Sequence, residues 1–181
     1  MRHTQAVALE LFERLGYGAT TIEQVAAEAE ISAPTIYRHF GTKERLVLWD
    51  EYDPLLLAAI GERLKQQPPL QAIRSGLVAA LDGIYAQDAA RLLRRARLLA
   101  AYPDLRAANA AVVDQLRRNI AALALNSPFI GSRFDAEILA STVVGTFEAA
   151  VEEWLRTEGR ASLRAIFDEA FERLERLMTR S

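Results

Sequence analysis

The stretch TTIEQVAAEAEISAPTIYRHFGTKERL, residues 20–46, decides the fold of this 181-residue chain. Apolar side chains after Thr21 recur at the spacing of one helical face. Gln24 stands three residues after Thr21, where its side chain completes a capping box. This pattern predicts a helix over 22–30.

A second helix is predicted over 33–40, after a turn of about three residues. Ser32 stands in the capping position, and Pro34 suits a first turn because the N–H it lacks would have no partner there. Ile36 and Phe40 are four residues apart and point inward, which leaves a short polar face outward. Two helices joined in this way are typical of the helix-turn-helix, whose second helix lies in the major groove of DNA.

The same stretch belongs to a longer pattern that starts in a preceding helix. It reads A-x-x-L-x-x-x-L-G-Y-x-x-T-T-I-x-x-V-A-x-x-A-x-I-S-x-x-T-I-Y-x-H-F-x-x-K-x-x-L. This pattern resembles the amino-terminal domain of the tetracycline-repressor (TetR) family of bacterial regulators. The resemblance implies an all-α fold, with a three-helix DNA-binding head at 1–48, its helix-turn-helix at about 21–40, and a helical regulatory domain at 49–181. It also implies dimerisation, a small-molecule pocket in the second domain, and release from an operator when ligand binds.

The resemblance assigns roles to side chains of the head. Tyr37 and His39 are expected to hold phosphates, Thr35 to contact a base, and Lys43 to meet the DNA backbone. Arg38 is open between a base and a phosphate. The predicted DNA-binding set is Thr21, Thr35, Tyr37, Arg38, His39 and Lys43.

Each role has an ordinary alternative. Tyr37 can be a packing residue, Thr21 can act as a helix cap without touching phosphate, and His39 can be a solvated side chain.

The net charge of the head argues against DNA binding by bulk electrostatics. Residues 1–45 contain five arginines and lysines against six glutamates, a net charge of −1. Three of the cations, Arg38, Lys43 and Arg45, cluster at the second helix of the motif and just after it. We expect weak nonspecific binding with a shallow salt dependence. The acidic balance also leaves open an all-helical scaffold protein that retains a helix-turn-helix without binding DNA.

Composition excludes several classes of site. The chain has no cysteine and only two histidines, His3 and His39, so neither a metal site nor a catalytic site is expected. No cofactor is expected, and the chain is not expected to be an enzyme. No apolar run approaches the length of a membrane span, so a cytoplasmic protein without a membrane partner is predicted. The expected partners are double-stranded operator DNA, a second copy of the chain, and a small-molecule effector of open identity. The sequence leaves repressor and activator open.

Helical periodicity continues to the end of the chain, and NSPFIGSRFD reads as a loop. Pro68 and Pro69 end one long helix and start another. Asp88 is predicted to cap a further helix. The predicted helices of this part run from Lys43 to Pro68, and over 69–86, 88–101, 103–125, 136–157 and 162–178.

The last two of these helices are predicted to form a dimer interface. From Ile138 to Phe147 there is no charged side chain, and a helix that is apolar all round must be covered on more than one side. Paired across a two-fold axis, the two helices would make a four-helix interface, with burial inside one chain as the alternative. The predicted interface residues are Leu139, Val143, Phe147, Val151, Phe167, Phe171 and Leu174.

A ligand pocket is predicted among large side chains of the middle helices. Arg97 or Asn119 would supply polarity, and an arginine of RLLRRARLLA turned inward would suit an acidic ligand. A solvated arginine face and an ordinary core are the alternatives. The predicted lining is Leu81, Tyr85, Arg97, Leu99, Tyr102, Leu116, Asn119, Ile120, Phe147 and Trp154.

Overall fold

In a computed structural model, the chain is all-helical over the described residues. The structure describes residues 1–50 and 52–179 and, within these ranges, all side chains except those at 53, 83–87 and 179. The described helices are α1 (Arg2–Leu15), α2 (Ile22–Glu28), α3 (Ala33–Phe40), α4 (Lys43–Leu48), α5 (Asp53–Leu64), α6 (Pro69–Ala101), α7 (Pro103–Ala124), α8 (Arg133–Arg156) and α9 (Leu163–Thr179). The predicted all-α fold is confirmed.

The helix predicted to run unbroken from Lys43 to Pro68 is wrong. α4 ends at Leu48, and Trp49 has an extended backbone with ψ of 126°. The reason lies at Pro54, which sits in the first turn of α5. Inside a continuous helix this proline would lack one hydrogen bond and its ring would clash with the preceding turn, so the chain starts a new helix there instead.

The predicted break at Asp88 is also wrong, because α6 continues through it. The Asp88 carboxylate does not cap a helix and instead accepts a hydrogen bond from the Tyr52 hydroxyl. No proline or glycine lies within three residues of Asp88, so the only signal for a helix start there was the capping propensity of the aspartate itself. A single aspartate was therefore too weak a signal for a helix start.

The chain divides into two compact units. Unit 1 consists of Met1–Asp50 and Ala89–Val112, and unit 2 of Glu51–Asp88 and Val113–Ser181. Residues of α6 and α7 contribute to both units. The predicted division at 48/49 stays a prediction, although the structure groups part of α6 and α7 with the first 50 residues.

Unit 1 has a core made by α1 to α4 together with two leucines from the later helices. Phe12 contacts Tyr17 edge-to-face with ring centroids 5.1 Å apart, and Phe40 contacts Trp49 in the same way at 5.9 Å. The apolar stripes predicted for the first three helices meet here. The larger buried members of this core are Leu9, Leu11, Phe12, Tyr17, Ile22, Val25, Ile36, Phe40, Leu46, Val47, Leu98 and Leu105.

Unit 2 has its own core, in which α8 packs on α9. Phe167 and Phe171 are fully buried, and the ring of Phe147 lies 4.7 Å from that of Phe167. α5 and α6 approach closely at Gly76, where an added Cβ would lie 2.9 Å from Cγ1 of Ile60. None of the described helices combines the length and the apolar character needed to cross a membrane.

Candidate nucleic-acid interface

One face of α3 is open to solvent. Ile36 and Phe40 are buried and anchor the helix in the core of unit 1, whereas Tyr37, Arg38 and His39 are exposed. Tyr37 has 48% of its surface exposed, which is unusual for a large aromatic side chain. Because burial fixes the rotation of α3 about its axis, these polar and basic side chains lie outward together.

Hydroxyl groups fix the starts of α2 and α3 as predicted. Thr21 Oγ1 accepts a hydrogen bond from the Gln24 backbone at 3.2 Å, and Gln24 Oε1 accepts one from the Thr21 backbone at 2.8 Å. Ser32 Oγ accepts from the Thr35 backbone at 3.3 Å and lies 2.8 Å from Thr35 Oγ1. The half-buried Thr35 is thus held by its own cap, and a base contact would have to share that hydroxyl.

The turn between α2 and α3 uses a left-handed backbone residue that is not glycine. Glu30 has φ of 55°, and the following N–H, of Ile31, donates to Ala26 O at 3.0 Å. This is the hydrogen bond that closes a helix end before a tight reversal. At the other end of α3, Gly41 has φ of 77° and stops the helix.

Lys43 begins α4 but turns back toward the head. Its Nζ donates a hydrogen bond to the backbone oxygen of Tyr17 and lies 4.3 Å from the centroid of the Tyr17 ring. Burial lowers the pKa of Lys43, and the neighbouring Glu44 opposes this by Coulomb attraction. Lys43 therefore lies two residues after Gly41, which ends α3, with its ammonium group held by Tyr17 in the loop after α1.

Tyr17 is a site residue that the sequence did not reveal. Its hydroxyl donates to Glu44 Oε1 at 3.1 Å, and its backbone N–H donates to the Tyr102 hydroxyl at 3.2 Å. Burial, followed by the charge of Glu44, raises the pKa of the Tyr17 hydroxyl. Its place directly after a glycine at the end of α1 marks a turn, but nothing in the sequence names its partners.

Two family models match the chain. The model for the tetR family of bacterial regulatory proteins matches residues 6–48, which carry α1 to α4. The model for the MftR C-terminal domain matches residues 67–179, more than half of the chain. The chain belongs to the TetR family. It is thus a transcriptional regulator, and the family resemblance read from the sequence is confirmed.

Individual relatives of this TetR-family chain are also transcriptional regulators. It is 37% identical over 109 residues to the HTH-type transcriptional regulator TcmR of Streptomyces glaucescens, covering 52% of this chain and 48% of TcmR. It is 28% identical over 182 residues to MftR of Mycobacterium tuberculosis, named for mycofactocin biosynthesis, covering 97% of this chain and 91% of MftR. The chain thus spans about half the length of the first relative and most of the second.

Solved TetR-family structures share the fold. FadR of Thermus thermophilus, a TetR-family transcriptional repressor in complex with lauroyl-CoA, superposes with a TM-score of 0.58 at 21% identity. The match covers 96% of this chain and 92% of FadR.

Three of the predicted pocket residues of this TetR-family chain lie in unit 1. Leu99 and Tyr102 pack against the core of the head, and Tyr102 holds the Tyr17 backbone. Arg97 is exposed, with Nη1 3.9 Å from a carboxylate oxygen of Glu13. Leu99 of α6 and Tyr102, just after it, thus lie against the core of the head, and Arg97 lies near Glu13 of α1. The role of these three residues as a pocket lining stays a prediction.

The other predicted pocket residues lie in unit 2, except that the side chain of Tyr85 lies outside the described residues. Asn119 Oδ1 accepts a hydrogen bond from Gln115 at 2.9 Å, so this amide already has a partner on its own helix. Leu81, Ile120 and Trp154 are buried, and Leu116 and Phe147 are half-buried. Their role as a lining stays a prediction.

The predicted dimer interface is divided by the structure. Val143, Phe167 and Phe171 are buried within the chain itself and belong to the core of unit 2. Their burial within one chain leaves little of their surface for a second copy, and their role in a dimer interface stays a prediction. Leu139, Phe147, Val151 and Leu174 keep part of their surface exposed.

A shallow groove of about 560 Å³ lies between α8 and α9. Its α8 side carries small residues, among them Gly145, where an added Cβ would meet nothing within 4 Å. The sequence did not single out this side because small residues contribute little to an apolar pattern. The groove is lined by Ser141, Thr142, Gly145, Thr146, Ala149, Ala150, Glu153, Arg156, Ile166, Glu169, Ala170, Arg173, Leu174 and Leu177.

Proposed function

We propose that this TetR-family regulator binds a palindromic operator as a homodimer and represses transcription until a small-molecule effector releases it. The observation that carries the proposal is the outward face of α3. Tyr37, Arg38 and His39 are exposed on a helix whose opposite side is buried, so their side chains are accessible to a DNA duplex. A recognition helix presents its amino-terminal residues to base edges, which is where Thr35 lies.

Phosphate contacts are proposed on either side of α3. The exposed Thr21 caps the amino terminus of α2, and helix amino termini favour phosphate through their free N–H groups and dipole. Lys43 is half-buried, so we propose that its ammonium group exchanges the Tyr17 backbone oxygen for a phosphate when DNA binds. The positive charge of an arginine or lysine is more strongly attracted to a phosphate than to a neutral carbonyl.

Dimerisation is proposed because one recognition helix is too short for a specific operator. α3 has eight residues and reads only a few base pairs, and paired half-sites lie about 34–36 Å apart along DNA. The second copy is proposed to occupy the groove between α8 and α9. The lining of this groove includes two ion pairs, each within one helix, Glu153–Arg156 in α8 and Glu169–Arg173 in α9. Both charges are thus present on the surface, which allows a self-complementary two-fold pairing.

The effector is proposed from the family relationship. FadR was crystallised with lauroyl-CoA, which shows that a related fold accepts a small molecule. In the present chain the buried and half-buried residues of unit 2 that the sequence predicted, Leu81, Leu116, Asn119, Ile120, Phe147 and Trp154, are the proposed lining. Lauroyl-CoA serves as a first probe, with loss of DNA binding as the readout.

The DNA-binding proposal is tested by in vitro selection on random duplex DNA with the full chain. We expect enrichment of an inverted repeat whose half-sites are about one helical turn apart, and salt-dependent binding of that duplex in fluorescence anisotropy. Arg38→Ala should weaken this binding by roughly tenfold or more, since a well-placed arginine contact contributes about 1–3 kcal/mol. Arg160→Ala, an exposed arginine of unit 2, is the matched control and should bind as the wild type does.

Failure to enrich any inverted repeat, with no salt-dependent binding to the DNA upstream of its own gene, would favour the scaffold alternative. Equal affinity in Arg38→Ala and wild type would remove this residue from the interface.

The dimer is tested at Gly145. Gly145→Glu adds a charged side chain where the monomer has open space, and glycine inside a helix is less favourable than most residues. We therefore expect a folded variant that sediments as a monomer, whereas Ala111→Glu, at an exposed position of α7, should sediment as a dimer. A dimeric Gly145→Glu chain would exclude this groove as the interface.

A further inference from the structure

The arginines of the run RLLRRARLLA point to the DNA-binding head. Arg95 lies on the part of α6 that belongs to unit 1, and its Nη1 donates to the Asp50 carboxylate. Its Nη2 donates to the backbone oxygen of Leu48, the last residue of α4, at 3.1 Å. One side chain of α6 thus holds both the last residue of α4 and Asp50, two residues beyond it.

Arg91, one turn earlier on α6, reaches the same helix end through Gln5. Its guanidinium donates to Gln5 Oε1. Gln5 Nε2 in turn lies 3.0 Å from Leu46 O and 2.7 Å from Trp49 O. The two arginines and this glutamine together serve the backbone oxygens that α4 leaves without intrahelical donors.

This is a favourable place for positive charge. The carboxyl end of a helix carries a partial negative charge, which cations near the last turn stabilise. The Arg95 and Asp50 side chains are only 14% and 18% exposed, so solvent screens their attraction little. Arg94 offers a contrast on the same helix, because it and its partner Glu13 are 39% and 48% exposed at an N···O distance of 3.1 Å.

The apolar contacts of α6 with the head do not have the same effect. Leu98 of α6 lies in the core of unit 1, but hydrophobic contact is non-directional and tolerates small shifts. Hydrogen bonds to defined carbonyls impose direction and register. The arginine contacts therefore determine how the head is fixed to α6, which is one continuous helix shared by both units.

We propose that Arg91 and Arg95 are positioning residues that hold α4 on α6 and so allow both heads of a dimer to bind one operator at once. The inference rests on the proposed function, because it concerns the same operator complex. Neither arginine contacts DNA in it. Their effect is expected only when two half-sites are bound together, since a single head finds its half-site whatever its orientation to the rest of the chain.

The test compares a full palindrome, recovered by selection with the wild-type chain, with a duplex of equal length in which one arm is scrambled. The double variant Arg95→Met/Asp50→Asn removes both charges, so no unpaired charge is left in a poorly solvated place. We expect its affinity for the full palindrome to fall by about 10- to 100-fold while half-site affinity stays within about twofold. Arg91→Met, which removes the contact to a neutral amide, should show the same split to a smaller degree.

Arg94→Met is the matched control and should keep the wild-type ratio of full-site to half-site affinity. The proposal would be overturned if the double variant and Arg91→Met both kept the wild-type ratio of full-site to half-site affinity. It would also be overturned if they lost affinity equally for both duplexes. Loss of the helical circular dichroism signal in both variants would also overturn it, because the arginines would then be required for folding instead of positioning. If the wild-type chain itself enriches no palindrome, the proposed function fails first, and that result is distinct from these.

Discussion

Gln5 offers the sharpest test of how α4 is held. It is a polar residue in α1 with 1% of its surface exposed, and its amide nitrogen lies within 3.3 Å of three backbone oxygens at the end of α4. Gln5→Leu keeps nearly the same volume and removes every one of these contacts. The carbonyls of Leu46, Val47 and Trp49 would then lose this buried donor.

The expected magnitude follows from that geometry. The amide has two N–H groups, and the shortest contacts are to Trp49 O at 2.7 Å and Leu46 O at 3.0 Å. A buried carbonyl that loses its donor costs about 1–3 kcal/mol, and the leucine regains part of this by apolar burial. We expect the free energy of unfolding to fall by roughly 2–4 kcal/mol, a large part of the roughly 5–15 kcal/mol that holds a typical domain together.

Urea unfolding followed by far-UV circular dichroism measures this change, at one protein concentration because the proposed dimer would contribute to stability. Gln115→Leu is the matched control, since this exposed glutamine contacts only neighbours on its own helix, Asn119 and Arg118, and its loss should change stability by less than about 0.5 kcal/mol. A Gln5→Leu chain as stable as this control would show that the contacts of Gln5 contribute nothing, and that water or a shifted backbone serves α4 equally well.

Three further substitutions test other parts of the fold. Glu30→Gly should raise the unfolding free energy by about 1 kcal/mol in urea titrations, because glycine adopts φ of 55° without the steric cost that glutamate bears; a loss of stability would contradict this. Gly76→Ala should lower it by about 1–3 kcal/mol, since the new Cβ would lie 3.2 Å from the Cα of Ile60 and 2.9 Å from its side chain, whereas Gly18→Ala, whose new Cβ meets nothing within 4 Å, should be nearly neutral. Glu44→Gln tests a pH dependence: the pKa of Glu44 is lowered chiefly by a hydrogen bond with its own backbone N–H, with further bonds from Thr42 and Tyr17, so its stabilisation is present above the ordinary carboxyl pKa and is lost as pH falls through the lowered one. Urea midpoints of wild type and Glu44→Gln should therefore converge on acidification, and a constant difference would refute the assignment.

Local sequence signals were sufficient for the helix-turn-helix. Thr21 and Ser32 cap the helices they precede, as their positions predicted, and Ile36 with Phe40 sets which side of α3 is buried. Each of these features depends on residues within four positions along the chain. Propensity, capping and periodicity therefore agree, and the exposed face of α3 could be predicted in advance.

Long-range partners were beyond such signals. The spacing of the arginines in α6 does not say which acceptors they meet. The sequence therefore left open an acidic ligand and solvent as their partners, whereas the structure shows partners in the head. The same limit applies to α8, whose apolar residues are divided between its own core and an open side of small residues. Gln5 did carry a signal, because it falls on the apolar stripe of α1, one turn before Leu9 and two turns before Phe12. A polar residue in that place must find buried partners.

Arginines of α6 offset the negative net charge of the head. Counted over residues 1–45, the head is −1, but unit 1 also includes 89–112 and there carries ten arginines and lysines against eight carboxylates, a net charge of +2. The added cations lie against acids of the head: Arg95 meets Asp50, and Arg94 lies 3.1 Å from Glu13. Carboxylates paired in this way repel a phosphate backbone less than free ones do. Unit 1, which carries α3, is therefore not acidic. We expect the full chain to bind nonspecific DNA more strongly than a truncated chain that ends before α5, for which the first 45 residues predict weak binding.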